Sequence, residues 1–372
     1  MINVRYIGAV GDSSGYASAG RSYIGALLDT TEVNLTVEIA SFEQQKTTHG
    51  ALYDRIVPYI DKPLDCKIQI VHLTPENYPR FRRSGCYNIA YTVWETTKIP
   101  DAWVPLCNLM DEIWVPSQWN IDVFRNSGVT KPLFKIPHGI PIPDLTNVPE
   151  LAMSVDPDTY VFYSIFQWIE RKNPLSLLKA YITEFQNDEN VCLALKTYRL
   201  NTSPQEQEII KKDILGLKQS LRMPKNPKIV FFGSLFPEDH IRALHKQSDC
   251  FVLPHRGEGF GIPHAEAMIA GNPVISSRYG GNLEFMNDKN SFLVDCQEIP
   301  VSGMIFSNYH GGMTWAHPDI MQIRKHMRYV YENQAKARAI GKLGQQTIKD
   351  DYSWNRIGHL MSGRLKEIQG KI

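Results

Sequence analysis

The chain has 372 residues, 43% of them hydrophobic and 21% charged, and a formal net charge of +1. That balance is ordinary for folded domains and too neutral for a dedicated nucleic-acid binder; the basic clusters Arg80-Phe-Arg82-Arg83 and 218–228 read as solvated faces. At roughly 100–200 residues per domain the length predicts two domains, and the six cysteines, at 66, 86, 107, 192, 250 and 296, show neither C-x-x-C pairs nor zinc-ligand spacing.

Met1-Ile-Asn-Val-Arg5 leads straight into a predicted strand at 4–10, without a leader pattern. No apolar run approaches the roughly 18 residues a membrane span needs, so a cytoplasmic chain is expected, with peripheral membrane contact left open. A loop of glycine and serine from Gly11 to Gly20 passes into a helical pattern around Tyr23, Ile24, Leu27 and Leu28. Strand, loop and helix in that order open a βαβ unit. Further strands are expected at 35–39, 66–72, 88–93, 112–115 and 133–136, with helical patterns between several of them, which predicts a parallel sheet covered on both faces. Residues 137–158, rich in proline and polar residues, read as a linker. A second α/β series follows, with strands at 160–166, 191–196, 228–232, 250–253 and 273–276 and helices at 174–185, 238–247 and 264–270. Cys192 and Cys250 lie inside apolar runs and read as small core residues. Ser353 is the predicted N-cap of a closing helix whose apolar positions, Ile357, Leu360, Met361, Leu365 and Ile368, fall at helical spacing. The expected class is thus α/β: two Rossmann-like domains with parallel sheets, 1–150 and 151–352, with a helix at about 353–372 packing back on the first. Ligands of such sheets bind at the carboxyl ends of strands, so the cleft between the domains is the expected site.

The chemistry is concentrated between Asp249 and Ser277. A buried strand ends at Pro254, and glycines at 257, 259 and 261 let the backbone approach a ligand closely. Pro263 suits the first turn of a helix. That helix aims its unpaired N–H groups and positive dipole end at the loop, which suits an anion such as a diphosphate. Glu258 before the glycines and Glu266 one turn into the helix are out of place in a plain phosphate site. They fit if they accept hydrogen bonds from sugar hydroxyls on either side of a diphosphate.

These residues resemble the retaining GT-B glycosyltransferases of family 4, the "glycosyl transferases group 1", whose signature embeds two glutamates in E-G-F-G-x-P-x-x-E-A-M-A-x-G-x-P-V-I. Glu258, Gly259, Phe260, Gly261, Pro263, Glu266, Ala267, Met268, Gly271, Pro273, Val274 and Ile275 match it, and Gly280-Gly281-Asn-Leu-Glu284 resembles the family's G-G-x-x-E. Arg171-Lys172-Asn-Pro174 resembles its R-K-x-P turn, and Lys196 its basic residue near the next strand end. Trp94-Glu95, Val115-Pro116-Ser117, Ile136-Pro137-His138-Gly139, Met313-Thr-Trp315-Ala-His-Pro318 and Tyr352-Ser-Trp354 resemble one branch of it.

The resemblance implies a GT-B fold and metal-independent transfer of a sugar from a nucleoside diphosphate, with retention, by attack on the face the leaving group departs from. By it, Glu258, Arg171 and Lys196 carry the reaction: Arg171 and Lys196 hold the diphosphate and Glu258 the donor sugar. Glu266 binds the ribose. Gly15, Tyr16, Phe260, Gly261 and Ile262 contact sugar or phosphate, Ser234 and Leu235 lie near the base, and Trp94 and Glu95 line an acceptor or sugar pocket. A histidine that many members carry after an N-domain strand is missing from Tyr91-Thr-Val-Trp94-Glu95, so its role is not carried over. No cofactor or metal is expected, and the expected partners are a nucleotide sugar and a carbohydrate, lipid-linked or protein acceptor.

Other readings compete. A GT-B phosphorylase shares the two glutamates, and a catalytically silent sugar-nucleotide binder shares the fold. Asp156-Pro-Asp158 spells D-x-D but precedes a strand, so it reads as a turn. Gly8, Gly11 and Gly15 lack dinucleotide-fingerprint spacing, despite Glu38 at the end of the second strand. His138 is read as a linker hinge, and His72, at a strand end, as structural.

Overall fold

The computed structural model describes residues 1–12, 14–40, 50–223, 225–302 and 308–372. Ser13 of the 11–20 loop and Pro224 of the 218–228 run lie outside them. The chain divides into two compact units, Met1–Pro141 with Lys349–Ile372, and Ile142–Ile348.

The first unit is built on β1 (Ile2–Gly8), β2 (Val33–Ile39), β3 (Ile68–His72), β4 (Tyr87–Tyr91), β5 (Glu112–Val115) and β6 (Leu133–Lys135). They pair in parallel in the order β2-β1-β3-β4-β5-β6. Between them run α1 (Gly15–Asp29), α2 (Ala51–Ile56), α3 (Tyr78–Phe81), α4 (Trp103–Cys107) and α5 (Gln118–Asn126). β3 is buried along its whole length, as a strand covered on both faces should be. Ser14 caps α1, its hydroxyl accepting from Ala17 N at 3.1 Å, and Ser117 caps α5 in the same way.

The second unit repeats the plan with β7 (Tyr160–Gln167), β8 (Val191–Tyr198), β9 (Lys228–Phe232), β10 (Cys250–Leu253), β11 (Val274–Ser277) and β12 (Phe292–Val294), in the order β12-β11-β10-β7-β8-β9. Its helices are α6 (Pro174–Glu184), α7 (Pro204–Leu221), α8 (Glu238–Lys246), α9 (Ile262–Ile269), α10 (Ile320–Glu332) and most of α11 (Gln334–Asp351). An antiparallel hairpin, β13 (Cys296–Pro300) and β14 (Thr314–Pro318), forms a separate two-stranded sheet. Cys192 and Cys250 are buried. No described helix is long and apolar enough to cross a membrane.

The last helix, α12 (Trp354–Gln369), belongs to the first unit and packs on α1. Gly358 allows the approach, since a Cβ there would overlap the carbonyl of Ala26. Ser353 occupies the N-cap position, but its hydroxyl makes no capping hydrogen bond. The boundary at Pro141–Ile142 falls earlier than the expected 150/151. Residues 137–141 belong to the first unit: Ile140 N donates to Tyr352 O at 2.7 Å, and His138 is buried with Nδ1 2.6 Å from Tyr23 OH. His138 is thus a core residue of the first unit, where the sequence reading made it a hinge.

Candidate active site

In an open parallel sheet, ligands bind where connections leave neighbouring strands in opposite directions. In the second sheet that point lies between β7, which leads to β8 on one side, and β10, which leads to β11 on the other. The turn after β7 carries Arg171 and Lys172; the loop after β10 carries Glu258.

These three side chains meet. Glu258, 6% exposed, forms an ion pair with Lys172, and Arg171 lies 3.6 Å from its second oxygen. Arg171 also donates to Gly257 O at 2.8 Å. Burial alone would raise the pKa of Glu258, but the charges of Lys172 and then Arg171 outweigh it and hold the carboxyl well below its usual range. Lys172 reaches the carboxylate because the chain turns sharply after it: Asn173 is left-handed, with φ of 57°, and its amide donates to Pro254 O at 2.9 Å. The sequence reading assigned Arg171 and passed over Lys172, although the paired basic residues were a visible signal.

The glycine loop is shaped by backbone contact as well as by any ligand. Gly281 N donates to Glu258 O at 2.6 Å, and a Cβ on Gly281 would overlap Gly259 O. Gly280-Gly281 is therefore the surface on which the Glu258 loop rests. Phe260 is buried with its ring 4.9 Å from Phe285. Gly261, at φ of 94°, precedes α9, and Ile262 and Pro263 begin that helix. Beneath the loop, His255 and His264 are fully buried with ring centroids 5.3 Å apart. Burial pushes the pKa of His264 down to about 4 and that of His255 well down, so both are neutral at pH 7.

Glu266 is half-buried on α9, and desolvation, then the charge of Glu238, push its pKa up to about 7. Lys196 is buried near the end of β8; burial pushes its pKa down to about 8, and its ammonium sits 5.4 Å from the centre of the Phe236 ring. Phe236, Ser234 and Leu235 line a pocket of about 390 Å³ with Pro237, His240 and Leu151. Ser234 and Leu235 thus border a concave space in the same unit as the charge cluster.

In the first unit, the switch point falls between β1 and β3. Gly15 opens α1 there, is exposed, and a Cβ on it would meet open space. Tyr16 is half-buried, with its hydroxyl 3.0 Å from Thr92 Oγ1 and its ring 5.2 Å from that of His72. His72 is buried, bonded through Nδ1 to Tyr6 OH at 2.6 Å, and its pKa is pushed down to about 3. Trp94 is buried, and its indole N–H donates to Thr96 Oγ1 and Lys98 O within its own loop; Glu95 is half-buried. Asp156 and Asp158 are exposed in a turn closed by Thr159 N to Asp156 O. Among the described residues no group of three or more His, Cys, Asp or Glu is placed to hold a metal ion. Glu38 pairs with Arg5 on the neighbouring strand.

Residues 162–301 match the family model of the glycosyl transferases group 1. That stretch lies wholly within the second unit, which is similar to the group 1 glycosyl transferases. A sucrose synthase of Melioribacter roseus is 40% identical to the chain over 73 residues, 18% of this chain and 9% of that protein. A GDP-mannose-dependent alpha-(1-6)-phosphatidylinositol monomannoside mannosyltransferase of Mycolicibacterium smegmatis is 27% identical over 147 residues, 36% of this chain and 33% of that one. The matched stretches thus span a third or less of these relatives. Among solved structures, a sucrose-phosphate synthase of Thermosynechococcus elongatus superposes with a TM-score of 0.72 at 14% identity, covering 100% of both chains. HepE of Anabaena, in complex with UDP and glucose, superposes with a TM-score of 0.68 at 15% identity, over 99% of this chain and 100% of that one. At such identity the likeness shows the fold, which is GT-B. Glu258, Glu266 and Arg171-Lys172 all lie within the matched residues.

Proposed function

We propose that the protein transfers a sugar from a nucleoside diphosphate to an acceptor with retention of anomeric configuration and without a metal ion. The observation that carries the reading is the Glu258–Arg171–Lys172 cluster, seated between the turn after β7 and the amino end of α9. A departing diphosphate develops negative charge, and fixed cations placed there stabilise it. Arg171, Lys172 and Lys196 supply that charge, together with the helix end, so no cation from solution is required. With the two cations shared between it and the diphosphate, Glu258 stays ionised and accepts from the donor's hydroxyls. Glu266 accepts from the ribose, and the pocket beside Ser234 and Leu235 receives the base. In this reading the acceptor's proton passes to a phosphate oxygen of the leaving group, and no protein base is needed.

The test is turnover of UDP-, GDP- and ADP-sugars by the wild type, Glu258→Ala and Arg171→Ala, with the product's anomeric configuration read by NMR. Each substitution is expected to reduce turnover on the order of 10²-fold, as for other lost transition-state contacts, and activity is expected to survive excess chelator. Near-wild-type rates in both variants would contradict the assignment, and complete loss in chelator would contradict its metal independence. Turnover driven by free phosphate in place of a nucleotide sugar would mark a phosphorylase.

A further inference from the structure

Arg256 stands two residues before Glu258, and nothing in the proposed transfer uses it. It is nevertheless a buried cation, 9% exposed, whose partners come from two other places in the sequence. Its Nε donates to Glu170 Oε1 at 3.0 Å. A terminal nitrogen donates to Ala316 O at 3.3 Å and to His317 Nδ1 at 3.1 Å. Its guanidinium lies 5.6 Å from the centre of the Trp315 ring. The main chain of the same residue repeats the pattern: its N–H donates to Arg171 O at 2.7 Å, and its C=O accepts from Ala316 N at 2.7 Å.

The turn after β7, the loop after β10 and β14 are therefore joined through one residue. The join matters because the charge cluster is split. Arg171 and Lys172 come from one segment and Glu258 from another, and neither segment alone sets their spacing. The hairpin β13–β14 belongs to neither six-stranded sheet, so the parallel sheet does not need it for pairing. Guanidinium suits the junction, since its planar fork donates in several fixed directions where an ammonium is a point charge. Arg256 has only donors, so His317 accepts at Nδ1 and carries its proton on Nε2.

We propose that Arg256 is the positioning residue of the charge cluster, and that the hairpin β13–β14 is the brace against which it holds the two loops in register. The functional consequence rests on the donor-diphosphate reading above; the structural consequence does not.

The test compares hydrogen–deuterium exchange in the full-length wild type, Arg256→Ala, Arg256→Lys and Glu170→Gln, with UDP binding measured on the same samples. Exchange on the order of tenfold faster is expected in 168–174, 254–262 and 314–318 of both Arg256 variants, with β1, β3 and β8 unchanged. UDP affinity is expected to fall on the order of tenfold in parallel. Guanidinium ion at roughly 20 mM should partly restore both properties to Arg256→Ala but not to Arg256→Lys, whose side chain fills the space the ion would take. Glu170→Gln keeps an acceptor oxygen but removes the charge of the Arg256–Glu170 ion pair, and should show the same pattern at smaller amplitude, which keeps the test available if Arg256→Ala does not fold. Unchanged exchange in those segments overturns the proposal, as does acceleration spread over the whole second unit. If the exchange pattern appears while the wild type binds no nucleoside diphosphate, the brace stands and the donor reading falls.

Discussion

Glu258 and Glu266 belong to one loop-and-helix segment, yet their surroundings push their protonation in opposite directions. Glu258 is held ionised, its pKa raised by burial but lowered more by Lys172 and Arg171. Its contribution to stability is present above the usual carboxylate range and lost as pH falls through its depressed folded value. Glu266 is the reverse, with a folded pKa of about 7. Between the usual carboxylate range and about 7 the folded chain holds a proton that the unfolded chain has released, so this group lowers stability as pH rises through that window. Glu266→Gln is accordingly expected to stabilise the protein at pH 8, by roughly 1–2 kcal/mol after solvent screening, and to show little difference near pH 4.5; thermal unfolding across pH checks this. The same variant should bind UDP more weakly at pH 8. Wild-type affinity should rise with pH through about 7, as Glu266 ionises, and fall above about 8, where free Lys196 loses its charge. A flat profile would remove both residues from the donor site. The two glutamates were legible because their spacing sits inside a dense glycine and proline pattern. Lys172 was visible beside Arg171 in the basic turn, but its reach to Glu258 depends on the left-handed turn at Asn173; Arg256 was not legible, because what marks it is partners on distant segments.

Among the elements, Gly281 and Gly15 are opposite cases, the first required by the fold and the second not. Gly281 lies against the backbone of Gly259, so Gly281→Ala must displace the Glu258 loop. A loss of several kcal/mol is expected, as for other overpacked and strained positions, together with loss of UDP binding. Gly15 faces open space, so Gly15→Ala should leave stability unchanged or raise it by about 0.5–1 kcal/mol, since alanine is the better helix former. If the backbone there approaches the donor, the same substitution weakens UDP binding, and unchanged affinity would remove Gly15 from the site. Most strands could be read from short apolar runs between turn residues, with ends displaced by one or two positions, as at β1 and β4. The hairpin β13–β14 was missed because β13 is mostly solvent-facing and carries no apolar run. The helices α7, α10 and α11 were passed over because polar residues fill most of their length and only sparse positions are buried.

Over the whole molecule, the chain leaves the first unit at Pro141 and returns to it at Lys349. The closing helix α12 covers α1, with Trp354 Nε1 donating to Ser22 Oγ at 2.8 Å and Arg364 paired to the fully buried Glu112. Removing residues 353–372 would strip α1 and leave Glu112 without that cation. Loss of a buried partner of this kind costs roughly 3–5 kcal/mol, so the first unit is expected to unfold at markedly lower temperature in the truncated protein. The alternation of strands and helices made the architecture readable, while the unit boundary was misplaced because prolines at 137 and 141 imitate a linker although Ile136, His138 and Ile140 are buried. The account as a whole turns on whether the second unit receives a nucleoside diphosphate through Arg171 and Lys172. Thermal unfolding of the wild type and Arg171→Ala with UDP, GDP and ADP tests this most directly, because a ligand that binds only the folded state raises its stability. At least one of the three, at about a hundred times its dissociation constant, should raise the wild-type midpoint on the order of 5 °C and leave Arg171→Ala nearly unmoved; no shift with any of them, or equal shifts in both proteins, would contradict it.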